Sequence, residues 1–207
     1  MHAMASTSPH QRGDARRAAL LAAASDMFLA RGYEGTQMQA VALSAGASKE
    51  TLYRYFPDKA ALFAAVIRRI ADRLGTQAAN LAGDRSVREA LESFGTSFLQ
   101  GLLRSDALAL HRLALSEAER FPELGRVFNE TGPATVKRSL ARYLEAETAI
   151  GSLRCVDPEH AASLLLGALV ADVQLRSLLG LSLPAEVLTR HVAEAVAMFI
   201  ARYARHE

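Results

Sequence analysis

Apolar residues recur along most of this chain at the three- and four-residue spacing of a helix face. In the first such stretch Leu20, Leu21, Ala24, Met27 and Phe28 share one side, which predicts a helix from Asp14, a good cap residue, to Gly32. Thr36 followed by Gln39 is a capping-box signature for a short helix from Gln37 to about Ala45, with Met38, Val41 and Ala42 inward. Gly46 stops that helix. Ser48 then caps Lys49 to Tyr55, with Leu52 and Phe56 four residues apart on the buried side. Two short helices joined by a few residues that include a glycine form a helix-turn-helix pattern. Phe56-Pro57 closes it, and Asp58 caps a longer helix from Lys59 towards Leu81 with Leu62, Phe63, Val66 and Ile70 inward.

Ser86 and Glu89 make a second capping box, for a helix to Leu103. Helices follow from Asp106 to Arg120, from Pro122 to about Asn129, from Pro133 to about Ile150, from Pro158 to Leu179 and from Pro184 to Arg205. Proline suits the first turn, where its missing N–H has no partner to lose. The helix over 158–179 is apolar nearly all round, with Leu164, Leu165, Leu166, Leu169, Val170, Val173, Leu175, Leu178 and Leu179. Such a helix is buried on two sides. Its second face, with the small residues Ala161, Gly167, Ala168 and Ala171, is expected to meet a second copy of the chain. The last helix (Val187, Leu188, Val192, Val196, Phe199, Ile200) is its natural partner, so the pattern predicts a homodimer through helices 158–179 and 184–205.

Composition agrees: 207 residues, half of them apolar and 22% charged, exclude a disordered chain. Alanine and leucine make up a third of it, and no Asn-Gly or Asp-Gly hairpin signal is present, so the fold class is all-α. No apolar run approaches the roughly 18 residues of a membrane span, and the polar first residues lack a signal-peptide core. A cytoplasmic protein with no membrane partner is expected. Cys155 is alone, the six histidines are isolated, and no nucleophile-elbow, P-loop or dinucleotide-binding pattern occurs. The residues therefore suggest no catalytic site, no metal and no cofactor.

Charge is what gives the organisation a direction. Residues 1–70 hold nine basic and five acidic groups, net +4, whereas the rest holds fifteen and seventeen, net −2. The basic part coincides with the helix-turn-helix, the footprint expected of a phosphate-binding module. Two of the three lysines, Lys49 and Lys59, stand at the first position of a predicted helix. A cation there opposes the helix dipole by a few tenths to about 1 kcal/mol, unless an anion such as a phosphate joins it. Tyr53 and Tyr55 lie off the buried side, where a tyrosine hydroxyl can reach a phosphate.

The stretch GYEGTQMQAVALSAGASKETLYRYFPDKAALFAAVI, residues 32–67, resembles the DNA-binding region of the TetR family of bacterial transcriptional regulators. The matching positions are Gly32-Tyr33, Thr36, Val41-Ala42, Ala45-Gly46, Ser48-Lys49, Thr51-Leu52-Tyr53, Phe56, Lys59 and Leu62-Phe63. More loosely, residues 111–133 and 163–180 resemble the regulatory domain of an AcrR-like or AefR-like branch. The resemblance implies a flexible arm (1–13), a three-helix DNA-binding domain (14–58), and a connecting helix with a helical ligand-binding and dimerisation domain (59–207). It implies double-stranded DNA with a palindromic operator as partner, and a contact set of Thr36, Gln37, Ser48, Lys49, Glu50, Thr51, Tyr53, Arg54, Tyr55 and Lys59. Thr36 and Lys59 would hold phosphates. Glu50 departs from the commoner small residue: it either accepts from a cytosine N4 or simply sits where the dipole favours an anion.

In the body, polar residues embedded in apolar helices are candidate ligand contacts: His111, Arg112, Glu117, Asp172, Gln174 and Arg176. Phe94, Phe98, Leu102, Leu115, Phe121 and Phe128 would supply apolar lining for a hydrophobic or amphipathic effector. Three functions fit: a repressor released by a small molecule; an activator or effector-independent regulator; and a helical ligand-binding or enzymatic bundle that no longer binds DNA.

Overall fold

The computed structural model describes residues 9–79 and 86–205. Among them are ten α-helices: α1 (Pro9–Gly35), α2 (Met38–Ser44), α3 (Lys49–Tyr55), α4 (Lys59–Ala79), α5 (Val87–Leu102), α6 (Ser105–Glu117), α7 (Pro122–Thr131), α8 (Pro133–Ala149), α9 (Pro158–Leu178) and α10 (Ala185–Tyr203). Most predicted caps form. Asp58 accepts from the Ala61 N–H (2.7 Å), and Ser86 and Glu89 bond reciprocally at 3.3 and 3.0 Å. Asp157 caps α9 as well, accepting from the His160 N–H (2.9 Å).

Three expectations are corrected. Residues 9–13, expected in a flexible arm, belong to α1, so the helix opens before the expected cap Asp14; residues 1–8 lie outside the described residues. Gly32, at φ +72° and ψ 177°, ends the first helical run as expected, and a further helical turn follows it to Gly35. The box of Thr36 with Gln39 does not form. Gln37 occupies the cap position of α2, and the Thr36 hydroxyl instead donates to the Gly32 carbonyl at 2.7 Å. Pro184 is one residue too early, at the cap position of α10 and not in its first turn. The predicted end of α4 at Leu81 lies outside the described residues.

Two cores result. The first gathers Leu20, Leu21, Phe28, Val41, Leu52, Phe56, Leu62 and Phe63 from α1–α4, together with Leu110, Ala114 and Leu124 from α6 and α7. The second packs α5, α8, α9 and α10 around Phe94, Leu99, Leu140, Leu165, Leu169 and Val196. At its centre Gly95 lets α5 approach α10 closely, since a Cβ there would meet Val192 Cγ1 at 2.8 Å. Helix α4 belongs to both units, packing on α1 as well as on α5, α7 and α8.

Helix α9 is long and apolar enough by length and composition to cross a membrane. Ala161, Ala162, Leu165, Leu169 and Val173 are nevertheless buried against the body, and the polar Gln174 points inward to His111. Ala161, expected on the outer face, is thus on the inner one. Leu164, Leu175 and Leu179 remain 50–68% exposed, and open space surrounds Gly167.

Candidate nucleic-acid interface and body cavity

The helix-turn-helix is built by local bonds. Gly46, at φ +61°, donates to the Leu43 carbonyl (3.0 Å) while Ala47 donates to that of Ala42 (2.9 Å), a Schellman end to α2. Arg16 of α1 reaches across 30 residues to donate to the Gly46 carbonyl at 2.8 Å, fixing the turn against the first helix. Ser48 Oγ accepts from the Thr51 N–H at 3.2 Å and pairs with the Thr51 hydroxyl at 3.1 Å. Leu52, fully buried, anchors α3.

Gln37, Ser48, Lys49, Glu50, Tyr53 and Arg54 are consequently exposed and Thr51 half-buried. Lys49 Nζ lies 5.8 Å over the Tyr53 ring, so a cation and a ring with a hydroxyl stand together on the flank of α3. The Glu50 carboxyl is held below its ordinary range by its own backbone N–H and by the Ser48 hydroxyl. That carboxylate is held by the first turn of α3.

Three of the predicted contact residues are placed elsewhere. Thr36 is 1% exposed, with its hydroxyl committed to the Gly32 carbonyl, so it shapes the α1–α2 corner from inside. Tyr55 is half-buried, and its hydroxyl donates to the Gly13 carbonyl (3.3 Å), which turns it towards α1. Lys59 Nζ donates to the Glu34 carbonyl (3.0 Å) and sits 4.8 Å over the Tyr33 ring. Burial lowers the Lys59 pKa, while the Glu34 and Glu117 carboxylates oppose that shift. The two helix-opening lysines differ: Lys49 faces outward, whereas Lys59 closes the corner where the first core meets α6.

That corner is dense in charge. Glu117 Oε1 approaches Gly32, Arg120 pairs with Glu34, and Phe121 packs edge-on to Tyr33 with centroids 5.4 Å apart. Glu117 and Phe121, expected in the ligand site, are therefore in the seam between head and body.

The body holds a cavity of about 160 Å³ bounded by α4 to α9. Of the predicted ligand contacts, Phe98, Leu102, His111, Phe128 and Gln174 line it. Arg112 does not: its guanidinium donates to the carbonyls of Leu178 (2.8 Å) and Ser177 (2.7 Å), closing the end of α9. Asp172 and Arg176 pair with each other at 2.9 Å on the outside of α9, and Leu115 is 61% exposed. Polarity inside an apolar sequence marked all six alike; helix phase separates Gln174, which faces α6, from Asp172 and Arg176, which do not.

The sequence reading missed most of the cavity wall: Ile67, Ala71 and Leu74 with Ile70 from α4, Ala107 and Leu110 from α6, Gly132, Pro133 and Val136 at the start of α8, and Leu166 and Val170 from α9. The signal was present for α4, because residues 67, 70, 71 and 74 form one helical stripe. The rest comes from segments far apart in the chain. His111 and Gln174 supply the polar side chains of the wall, joined at 3.1 Å between Nδ1 and Nε2, with the imidazole edge-on to Phe128 at 4.9 Å. Burial lowers the His111 pKa, disfavouring the charged ring. Among the described residues no group of three or more His, Cys, Asp or Glu is placed to hold a metal ion. Burial likewise pushes the Cys155 thiol up, away from the reactive thiolate.

A basic helix-turn-helix head fused through one long helix to a hollow helical body defines a class, the two-part DNA-binding regulators. Residues 20–66 match the model of bacterial regulatory proteins of the tetR family, and residues 89–205 match that of the AefR-like transcriptional repressor C-terminal domain. The second match spans more than half of the chain, and the protein belongs to the TetR family of transcriptional regulators, with an AefR-like C-terminal domain. A TetR-family transcriptional regulator of Mesorhizobium loti is 30% identical in sequence and superimposes with a TM-score of 0.80 over 94% of this chain and 99% of that one. The flavonoid-responsive regulator FrrA is 32% identical, with a TM-score of 0.74 over 93% of this chain and 98% of its own. The HTH-type transcriptional activator FasR of Mycolicibacterium smegmatis is 41% identical over 86 residues, 39% of each chain. The HTH-type transcriptional regulator RutR of Escherichia coli is 47% identical over 58 residues, 28% of this chain and 27% of its own.

Proposed function

We propose that the protein is a homodimeric repressor acting in the cytoplasm, bound to a palindromic operator through α2 and α3 and released when a small apolar or amphipathic molecule fills the body cavity. The observation that carries this reading is the double membership of α4. Its first half supplies Leu62, Phe63 and Val66 to the core of the head, and its middle supplies Ile67, Ile70, Ala71 and Leu74 to the cavity wall. Leu110 of α6 belongs to both as well. A ligand that moves either helix by the thickness of a side chain alters how the head sits on the body. DNA affinity falls by the coupling free energy, typically about 1–3 kcal/mol.

Dimerisation follows from the uncovered stripe of Leu164, Gly167, Ala171 and Leu175 on α9 and from Met198, 64% exposed, on α10. Two heads then present their net positive charge on successive major grooves about 34–36 Å apart. Gln37, Ser48, Lys49, Thr51, Tyr53 and Arg54 make the contacts, Tyr55 ties α3 to α1, and Thr36 and Lys59 hold the end of α1.

Selection of bound DNA from a random pool with the purified protein tests the reading. A palindromic consensus is expected, with log K falling against log salt at a slope of roughly −7 if each protomer neutralises about four phosphates; a pool that enriches no palindrome overturns it. FasR carries the name of an activator, so reporter expression with and without the gene decides the sign: repression predicts higher output in its absence.

A further inference from the structure

The His111–Gln174 pair is half satisfied. The Gln174 amide donates to an unprotonated Nδ1, which puts the imidazole proton on Nε2. The pair then has donors at His111 Nε2 and at the second N–H of Gln174, and a carbonyl acceptor at Gln174 Oε1, left over. If the amide is turned over, Nε2 becomes the unpaired acceptor and both amide N–H groups are left as donors, so both kinds of group remain. No described protein group bonds these atoms, and the rest of the cavity wall is apolar side chain and glycine.

Buried polar groups discriminate strongly between ligands that pair them and ligands that do not. A carboxylate only accepts and an ammonium only donates, so a carboxylate would leave the acceptor, and an ammonium the donors, facing a group of their own kind. A hydroxyl donates and accepts through one oxygen and serves both. The volume suits a small ring: about 160 Å³ is close to the roughly 150 Å³ apolar cavity that admits benzene. Phe98 and Phe128 line it among aliphatic side chains, and Phe128 stands edge-on to the His111 ring.

We propose that the cavity takes a small uncharged hydroxyl-bearing ring compound, a phenol by chemical class, whose hydroxyl completes the hydrogen bonding of the His111–Gln174 pair. This rests on the reading of the cavity as the effector site.

The test compares two molecules of nearly the same shape, phenol and toluene, with benzoate as the charged arm, by calorimetric titration of the full-length protein without DNA. Phenol is expected to bind more tightly than toluene although it is the less apolar of the two, and benzoate more weakly than phenol. In Gln174→Leu and His111→Phe the ratio of phenol to toluene affinity is expected to drop by about tenfold, the cost of one unpaired buried polar group, with toluene binding retained. The wild-type comparison needs no variant, so it stands even if a substitution prevents folding. Toluene binding as well as phenol, benzoate binding as well as phenol, or a ratio unchanged in both variants overturns the proposal. Release from the selected operator is measured separately. Discriminating binding without release sinks the effector reading and leaves the phenol site standing; release by a compound that bypasses the pair does the reverse.

Discussion

The head and the body are both helical, but they are held by forces of different range. In the head, α2 and α3 are seven residues each and rest on bonds made within a few residues: the glycine turn at Gly46, the Ser48 cap and the single anchor Leu52. In the body, the cavity is walled by six helices whose contributing residues run from Ile67 to Gln174. A surface that reads another molecule can be written locally, whereas a hollow needs walls from distant parts of the chain. The two units are not independent, because α4 and Leu110 serve both.

The largest expected effect challenges that sharing. Leu110→Ala removes a fully buried side chain from the seam and should cost about 2–5 kcal/mol in denaturant unfolding. One cooperative transition shifted as a whole is expected; two separated transitions would show that head and body are joined only by a linker. Next is Gly46→Ala, which forces a Cβ into φ +61° and should cost about 1–2 kcal/mol. The loss should appear more in operator affinity than in the helical circular dichroism of the body, because the turn sets the pitch of α3.

A smaller effect concerns the corner. Arg120→Ala breaks a half-exposed pair with Glu34, so stability should change by less than about 1 kcal/mol. If the corner couples the two units, the fold-change in operator affinity caused by ligand should change in this variant even though stability barely moves; an unaltered fold-change would assign the corner a purely structural role. The smallest effect is protonic. Burial lowers the His111 pKa in the folded state, so the unfolded chain takes up its proton first as pH falls through about 6.5. The contribution of neutral His111 is fully present above that value and declines as pH falls towards the folded pKa. The cavity wall holds no carboxylate or cation to oppose this, and His111→Phe should flatten that part of the stability profile.

Helix positions were legible because their signals act over three or four residues. The caps at Ser48, Asp58 and Ser86 formed where the spacing placed them, whereas Asp14, also expected to cap, falls inside α1. The failure at Thr36 is instructive. Thr36 has the right residue type and spacing for a cap, yet the kink at Gly32 puts that carbonyl within 2.7 Å of its hydroxyl, and the closer partner wins. The same limit governs the ligand candidates: His111 and Gln174 meet across 63 residues, a contact no local pattern encodes.

By itself the sequence determined the all-α class, the helix-turn-helix, the split of charge between a positive head and a slightly negative body, and the family. Those follow from periodicity, capping and charge, which depend on neighbours along the chain. Only the tertiary structure decided that Thr36 and Tyr55 turn inward, that Lys59 bonds the Glu34 carbonyl, that Arg112 closes α9, and that one imidazole–amide pair stands in an otherwise apolar hollow. Each of these is a contact between distant segments, and its energy depends on which faces the packing brings together.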